Sequence, residues 1–191
     1  MIVVCTPSIP DRTELLLQAM RSVEAQEQGP PAFHLVAIDH HRTGPAEARN
    51  RLAQAARTGW LTFLDDDDVW HPHHLRTLWA QASTGDYDVV YSLADIEGRP
   101  GWDPQQDTFD ADRLRRVNYI PLAGLVRAEL FHEVGGFPTD DRLYEDHGLW
   151  LRLLDAGARF HCIPERTWSY RFGDWDSRSR QVWDGRRKAR R

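Results

Sequence analysis

The run Asp65–Asp68, inside "GWLTFLDDDDVWHPHHL", places four carboxylates in succession at the end of an apolar segment. Like charges this close raise one another's pKa and oppose folding unless something positive offsets them. Successive side chains of an extended backbone alternate, so Asp65 and Asp67 share one side and Asp66 points to the other. Two carboxylates on one side can share a hard cation, and such oxygen ligands suit Mg2+ or Mn2+ better than zinc. The plain alternative is a solvated acidic turn, with Asp68 capping the next turn of the chain. His71, His73 and His74 come next, with His40 and His41 upstream. Their spacing fits no structural zinc pattern, and no cysteine lies near them.

The elements that must position these residues read as an α/β chain. "IVVCT" and "FHLVAID" (33–39) are short apolar runs rich in β-branched residues. Between them Leu16, Ala19, Met20 and Val23 recur at helical spacing, with Asp11 or Thr13 as a cap and Gly29-Pro30-Pro31 as a stop. Strand, helix, strand makes a βαβ unit. "GPAEARNRLAQAARTG" predicts a second helix, with Pro45 in its first turn and Gly59 as its C-terminal cap, and "WLTFLD" a third strand. Strands this continuously apolar belong to a mostly parallel sheet covered on both faces. Asp39 and Asp65 then end strands, at the edge where open parallel sheets bind ligands. Tyr87–Ile96 predicts a further strand and Glu97–Asp110 a loop. "AGLVRAELFHEVGGF" predicts strand, short helix and a tight Gly135-Gly136 turn, and "YEDHGLWLRLLDAGARFHCI" a helix ended by Gly157 before a late strand.

At 191 residues and 41% hydrophobic, with eight tryptophans, the chain can bury one sizeable core. A formal charge of -5 does not make the molecule a polyanion binder. Cys5 and Cys162 sit in apolar segments, as buried thiols of a reducing compartment do. The N-terminus has no leader pattern and no apolar run reaches the ~20 residues of a membrane span, so a cytoplasmic location, with at most peripheral membrane contact, is the expectation. Seven Lys or Arg face only Asp184 between Arg178 and Arg191. That tail is a solvated end or a contact for an anionic surface, whether lipid or nucleic acid.

Several stretches together resemble one family. "FLDDDDVWHPHHL" resembles the D-x-D region of inverting family 2 glycosyltransferases with the GT-A (Rossmann-like) fold, where an apolar strand runs into aspartates and then a "W-x-P-x-x-L" helix start. "TPSIPDR" with "RSVEAQ", and "GPAEARNRLAQAARTGWLTFLDDDD", resemble the preceding elements of that family. "LAGLVRAELFHEVGGF" and "YEDHGLWLRLLDAG" resemble its acceptor-side region and E-D helix. The resemblance covers residues 1–172 and implies one GT-A domain, with a nucleotide-sugar half (1–96), an acceptor-side half (97–172) and the basic tail (173–191) outside it.

The resemblance implies a nucleotide-sugar donor, with uridine favoured, a divalent cation (Mn2+ or Mg2+) and a hydroxyl acceptor on a glycan, lipid-linked sugar, protein or modified nucleic acid. Thr6 and Pro7 would line the nucleotide pocket, Asp39 would bond the base, and Arg49 would lie beside the nucleotide unless it pairs with Glu47 at the surface. Asp65 and Asp66 would face the ribose and the metal's water shell, Asp67 would ligate the metal, and Asp146 would be the catalytic base, with Glu145 as its rival. Adjacent helical side chains diverge by about 100°, so only one of the two can face the reacting carbon. The chain departs from the pattern at His40–Thr43, where an Asp and Gly-Ser are usual, and lacks the family's late histidine. Arg171, Arg178 or His161 would substitute, and Trp150 is a further candidate for acceptor or diphosphate contact. The tryptophans are core or rim residues by default, and Trp102, Trp168 and Trp175 lie in or near regions able to stack on a sugar. Two rival readings are a nucleotide-sugar-binding module without turnover and a metal-dependent phosphohydrolase. The second leaves "YEDHGLWLRL" unexplained.

Overall fold

The computed structural model describes residues 1–27, 32–140 and 145–172. The basic tail with Arg178 and Trp175, and the expected helix stop at Gly29–Pro31, lie outside them. Strands β1 (Ile2–Ser8), β2 (Ala32–Ile38), β3 (Trp60–Phe63), β4 (Val69–Trp70), β5 (Val89–Glu97), β6 (Leu125–Arg127) and β7 (Phe160–Arg171) form one sheet in the order β2-β1-β3-β6-β5-β7-β4. β1 pairs in parallel with both β2 and β3, β5 pairs in parallel with β7, and β6 runs antiparallel to β3 and β5. β4 pairs antiparallel with β7. Only β6 and β4 therefore run against the common direction, which makes the mixed α/β, mostly parallel GT-A sheet the sequence predicts.

Helices cover both faces: α1 (Thr13–Glu24), α2 (Pro45–Ala53), α3 (His74–Ala82), α4 (Ala111–Leu114), α5 (Ala128–Glu133) and α6 (Glu145–Asp155). The twofold alternation of the strands divides the core. Val3, Cys5, Leu61 and Phe63 pack with Phe131, Phe137, Leu149 and Trp150 on the α5 and α6 side. Ile2, Val4, Trp60 and Leu64 pack with Ala19, Leu75 and Leu78 on the α1 and α3 side. Burial on both faces is why these strands read as unbroken apolar runs. Both thiols are buried and free, and burial pushes Cys5 up to about 12 and Cys162 to about 11.

Several boundaries differ from expectation. Neither Asp11 nor Thr13 caps α1: Pro10–Arg12 forms a 3-10 turn before it, Asp11 pairs with Arg42, and the Thr13 hydroxyl donates to the Pro10 carbonyl. α2 ends at Ala53, and Gly59 instead immediately precedes β3. Gly59 has φ +91, and a Cβ there would sit 2.7 Å from the Met1 carbonyl oxygen, which Trp60 N–H bonds at 3.1 Å. Gly157 does follow α6 with φ +82.

Candidate active site

The site lies where β1, β2 and β3 end. Beyond β3 the chain turns, with Asp68 N–H donating to the Asp65 carbonyl at 3.1 Å. This turn, rather than an extended alternation, sorts the four carboxylates. Asp65, Asp67 and Asp68 each offer an oxygen within 4.8 Å of the others, whereas Asp66 turns back toward β1. There it accepts from the Ser8 hydroxyl at 2.6 Å and from Arg12 Nη1 at 2.7 Å. Arg12 Nη2 donates to Asp67 Oδ2 at 2.6 Å, so one guanidinium forks across two aspartates. Pro10 starts the 3-10 turn that carries Arg12 to them.

Three of these carboxylates, Asp66, Asp67 and Asp68, titrate high. Burial raises Asp66 to about 6 against the Ser8 hydrogen bond and the Arg12 charge. Asp67 is raised by burial and by Asp65, with Arg12 opposing. Asp68 does not cap a turn as expected: it is buried, and its Oδ1 accepts from Arg171 N–H at 3.2 Å. Burial first, then Asp67 and Asp65, push its pKa well above the ordinary carboxylate range.

Arg49 reaches the cluster from α2. It is 3% exposed, and rather than pairing with Glu47 at the surface it joins Asp65 through Nη2 and Glu145 through Nη1, the latter at 3.2 Å. Burial works against its charge, and Asp65 and Glu145 more than restore it. The guanidinium thus ties the end of β3 to the start of α6. Asp146, next to Glu145, accepts from Asn118 Nδ2 at 2.6 Å and from His147 N–H at 2.8 Å. Burial and Glu145 raise its pKa against that N–H and Arg49. Asp39 accepts from Gly44 N–H at 2.9 Å and from the Thr43 hydroxyl at 3.1 Å. Burial favours its protonation, but the N–H donors of Gly44 and Thr43 and the Thr43 hydroxyl hold its pKa below the usual value.

One pocket of about 730 Å3 contains most of the expected residues: Pro7, Asp39, Arg49, Asp65–Asp68, Glu145, Asp146 and Arg171 line it, and so do Trp102 and Trp168. Three candidates lie elsewhere. Thr6 is fully buried and bonded to His34 at 2.8 Å. Trp150 is in the core, its indole N–H donating to the Ile120 carbonyl at 3.1 Å, and His161 stacks on Tyr87 with ring centres 4.3 Å apart. Trp150 and His161 are packing residues, not contacts of the pocket. His71 and His73 pair with Asp95 and Glu165, and His74 is buried against Thr167. Ser8, Arg12 and Asn118 were not singled out from sequence. Their only signal is position, at the end of β1, just after it, and on the loop that precedes β6.

The family model of glycosyl transferase family 2 matches residues 1–144. The chain belongs to that family. A pre-mycofactocin glycosyltransferase of Mycobacterium tuberculosis is 28% identical over 145 residues, covering 65% of this chain and 29% of the relative. An uncharacterized glycosyltransferase of Haemophilus influenzae is 29% identical over 121 residues, covering 58% of this chain and 41% of the relative. The alignments thus span less than half of these relatives' length. Among solved structures, S. aureus TarS (residues 1–349) in complex with UDP-GlcNAc superposes with a TM-score of 0.72 at 15% identity, over 93% of this chain and 60% of that one. The same TarS segment in complex with UDP gives 0.72 over 90% and 60%. This likeness establishes the GT-A fold. Among the described residues no helix is long and apolar enough to cross a membrane.

Proposed function

We propose that the chain is a metal-dependent, inverting glycosyltransferase that moves a sugar from a nucleotide-sugar donor, a UDP-sugar by preference, to an acceptor hydroxyl. The observation carrying this reading is that the Asp65–Asp67–Asp68 group and Asp146, from separate elements, line the same pocket. The UDP and UDP-GlcNAc complexes of TarS support the choice of uridine. Residues 1–96 form the donor half and 97–172 the acceptor half. Pro7 and Asp39 contact the nucleoside and Asp66 faces the ribose, while Thr6 supports that wall from inside. Arg49 serves the nucleotide end by holding Asp65.

The three clustered carboxylates are hard oxygen donors and fit Mn2+ or Mg2+. Held by Asp65, Asp67 and Asp68, such a cation would neutralise charge developing on the departing diphosphate. Asp146 takes the proton of the acceptor hydroxyl as that oxygen bonds to the anomeric carbon and the bond to the diphosphate breaks. Asn118 orients the accepting carboxylate. A single displacement with one base inverts the anomeric carbon, and positioned base catalysis of this kind contributes about 10²–10⁴ in rate. Glu145, already engaged with Arg49, positions rather than accepts, and Arg171 is the described candidate for a diphosphate contact. The acceptor is a hydroxyl compound, and the basic tail remains a candidate contact for an anionic surface.

A thermal-shift panel of UDP-, GDP- and dTDP-sugars, each with and without Mn2+, tests the reading. The expected result is stabilisation by a UDP-sugar that grows when Mn2+ is present. Absence of any shift overturns it. Binding without slow donor hydrolysis identifies a binding module, and phosphate-ester cleavage without a sugar requirement identifies a phosphohydrolase.

A further inference from the structure

Arg12 is used by none of the proposed steps, yet it makes two short charge-assisted bonds in the pocket, to Asp66 and Asp67, with its side chain 19% exposed. Asp67 is also one of the three carboxylates that cluster within 4.8 Å. A guanidinium and a divalent cation on one carboxylate repel each other even if each takes its own oxygen, and at these distances within a half-buried pocket the repulsion is weakly screened. Asp66 is different: it lies outside the cluster and is anchored by Ser8 as well, so Arg12 keeps one partner when it yields the other. We propose that Arg12 is a built-in antagonist of the divalent cation, a side chain that neutralises Asp67 and must give it up, wholly or in part, when the metal enters.

This rests on the metal reading and adds a consequence opposite in sign to that of a structural brace. Loss of a brace loosens the aspartate turn and weakens metal binding, whereas loss of a competitor strengthens it. The coupling is also reciprocal: whatever Arg12 takes from metal affinity, the metal takes from the Arg12–Asp67 bond. Antagonism of this kind keeps the pocket from trapping a cation permanently and makes metal entry easier once a diphosphate has arrived to share the positive charge.

Binding of Mn2+ to the whole chain without donor, read from the electron paramagnetic resonance of free Mn2+, tests this on wild type, Arg12→Gln and the control Arg42→Gln. Arg42 is also at the pocket but pairs with exposed Asp11. Releasing one charge-assisted bond on Asp67 should tighten Mn2+ binding about tenfold in Arg12→Gln and leave Arg42→Gln near wild type. Equal or weaker binding by Arg12→Gln overturns the inference alone, as does an equal gain in Arg42→Gln. Failure of both wild type and Arg12→Gln to bind Mn2+ overturns the metal reading together with the inference. Circular dichroism verifies folding. Arg12→Lys, which keeps the charge but cannot fork across two carboxylates, gives a smaller gain in the same direction. If neither variant folds, Arg12 is a brace and the inference fails.

Discussion

A carboxylate buried beside another carboxylate keeps its proton to higher pH than an exposed one, and Asp146 is so placed, with Glu145 adjacent. A general base must be ionised, so transfer should rise with pH through a limb lying above the ordinary aspartate range. Asp146→Asn should lower transfer by about 10²–10⁴ and remove that limb. Donor binding by thermal shift should persist, because the proposed donor contacts come from the ends of β1, β2, β3 and β7 and not from α6. A variant that loses donor binding and turnover together would remove Asp146 from the role of base. The aspartate run itself was legible as a carboxylate site. Its internal division was not, because Asp66 faces Ser8 and Arg12, 58 and 54 residues away in sequence, and no spacing rule reaches that far.

At the level of elements, the placement of α6 decides whether Asp146 meets the cluster. Arg49 holds its first residue, Asn118 holds its second, and Gly148 lets it lie against Pro138. A Cβ on Gly148 would come 2.5 Å from Pro138 Cγ, a ring atom with little freedom to move. Helix propensity alone would make Gly148→Ala stabilising by about 1 kcal/mol, while overpacking costs about 1–3 kcal/mol. The clash should win, so denaturant unfolding is expected to show a net loss of stability, and turnover should fall with it as α6 shifts. The α/β alternation up to Asp65 was readable because doubly buried strands and amphipathic helices have distinct periods. α3 was signalled only through the family resemblance, and β4 and α4 are too short to carry a period. The end of α2 was misplaced because Gly59 answers to the Met1 carbonyl rather than to the helix.

For the whole molecule, the buried histidines are one source of acid sensitivity. His74 is held by burial at about 3, against a weaker opposing interaction of its ring N–H with the Ala123 backbone carbonyl, and burial lowers His34 to about 4. Their ordinary value is 6.5. Between these limits the unfolded chain binds protons that the fold refuses, so the histidines' share of stability is fully present above pH 6.5 and falls as pH drops below it. At about pH 5 the His74 contribution alone is about 2 kcal/mol. Asp66 acts in the opposite sense, since the fold protonates it at about 6, above its free value of 3.8, and the raised Asp67, Asp68 and Asp146 act with it. The difference between wild type and His74→Gln isolates the histidine: the gap in midpoint stability between about pH 7 and about pH 5 should narrow in the variant. An unchanged gap would mean that His74 is protonated in the fold.

The bond from Arg171 N–H to Asp68 joins residues 103 positions apart. During synthesis, therefore, a chain that has already laid down β1, β2 and β3 carries the partners of Asp65, Asp66 and Asp67 in Arg49, Ser8 and Arg12, but not yet the partner of Asp68. Asp68 acquires that tether only when β7 has been made and pairs with β5, so the group of three carboxylates is completed after most of the chain has been synthesised.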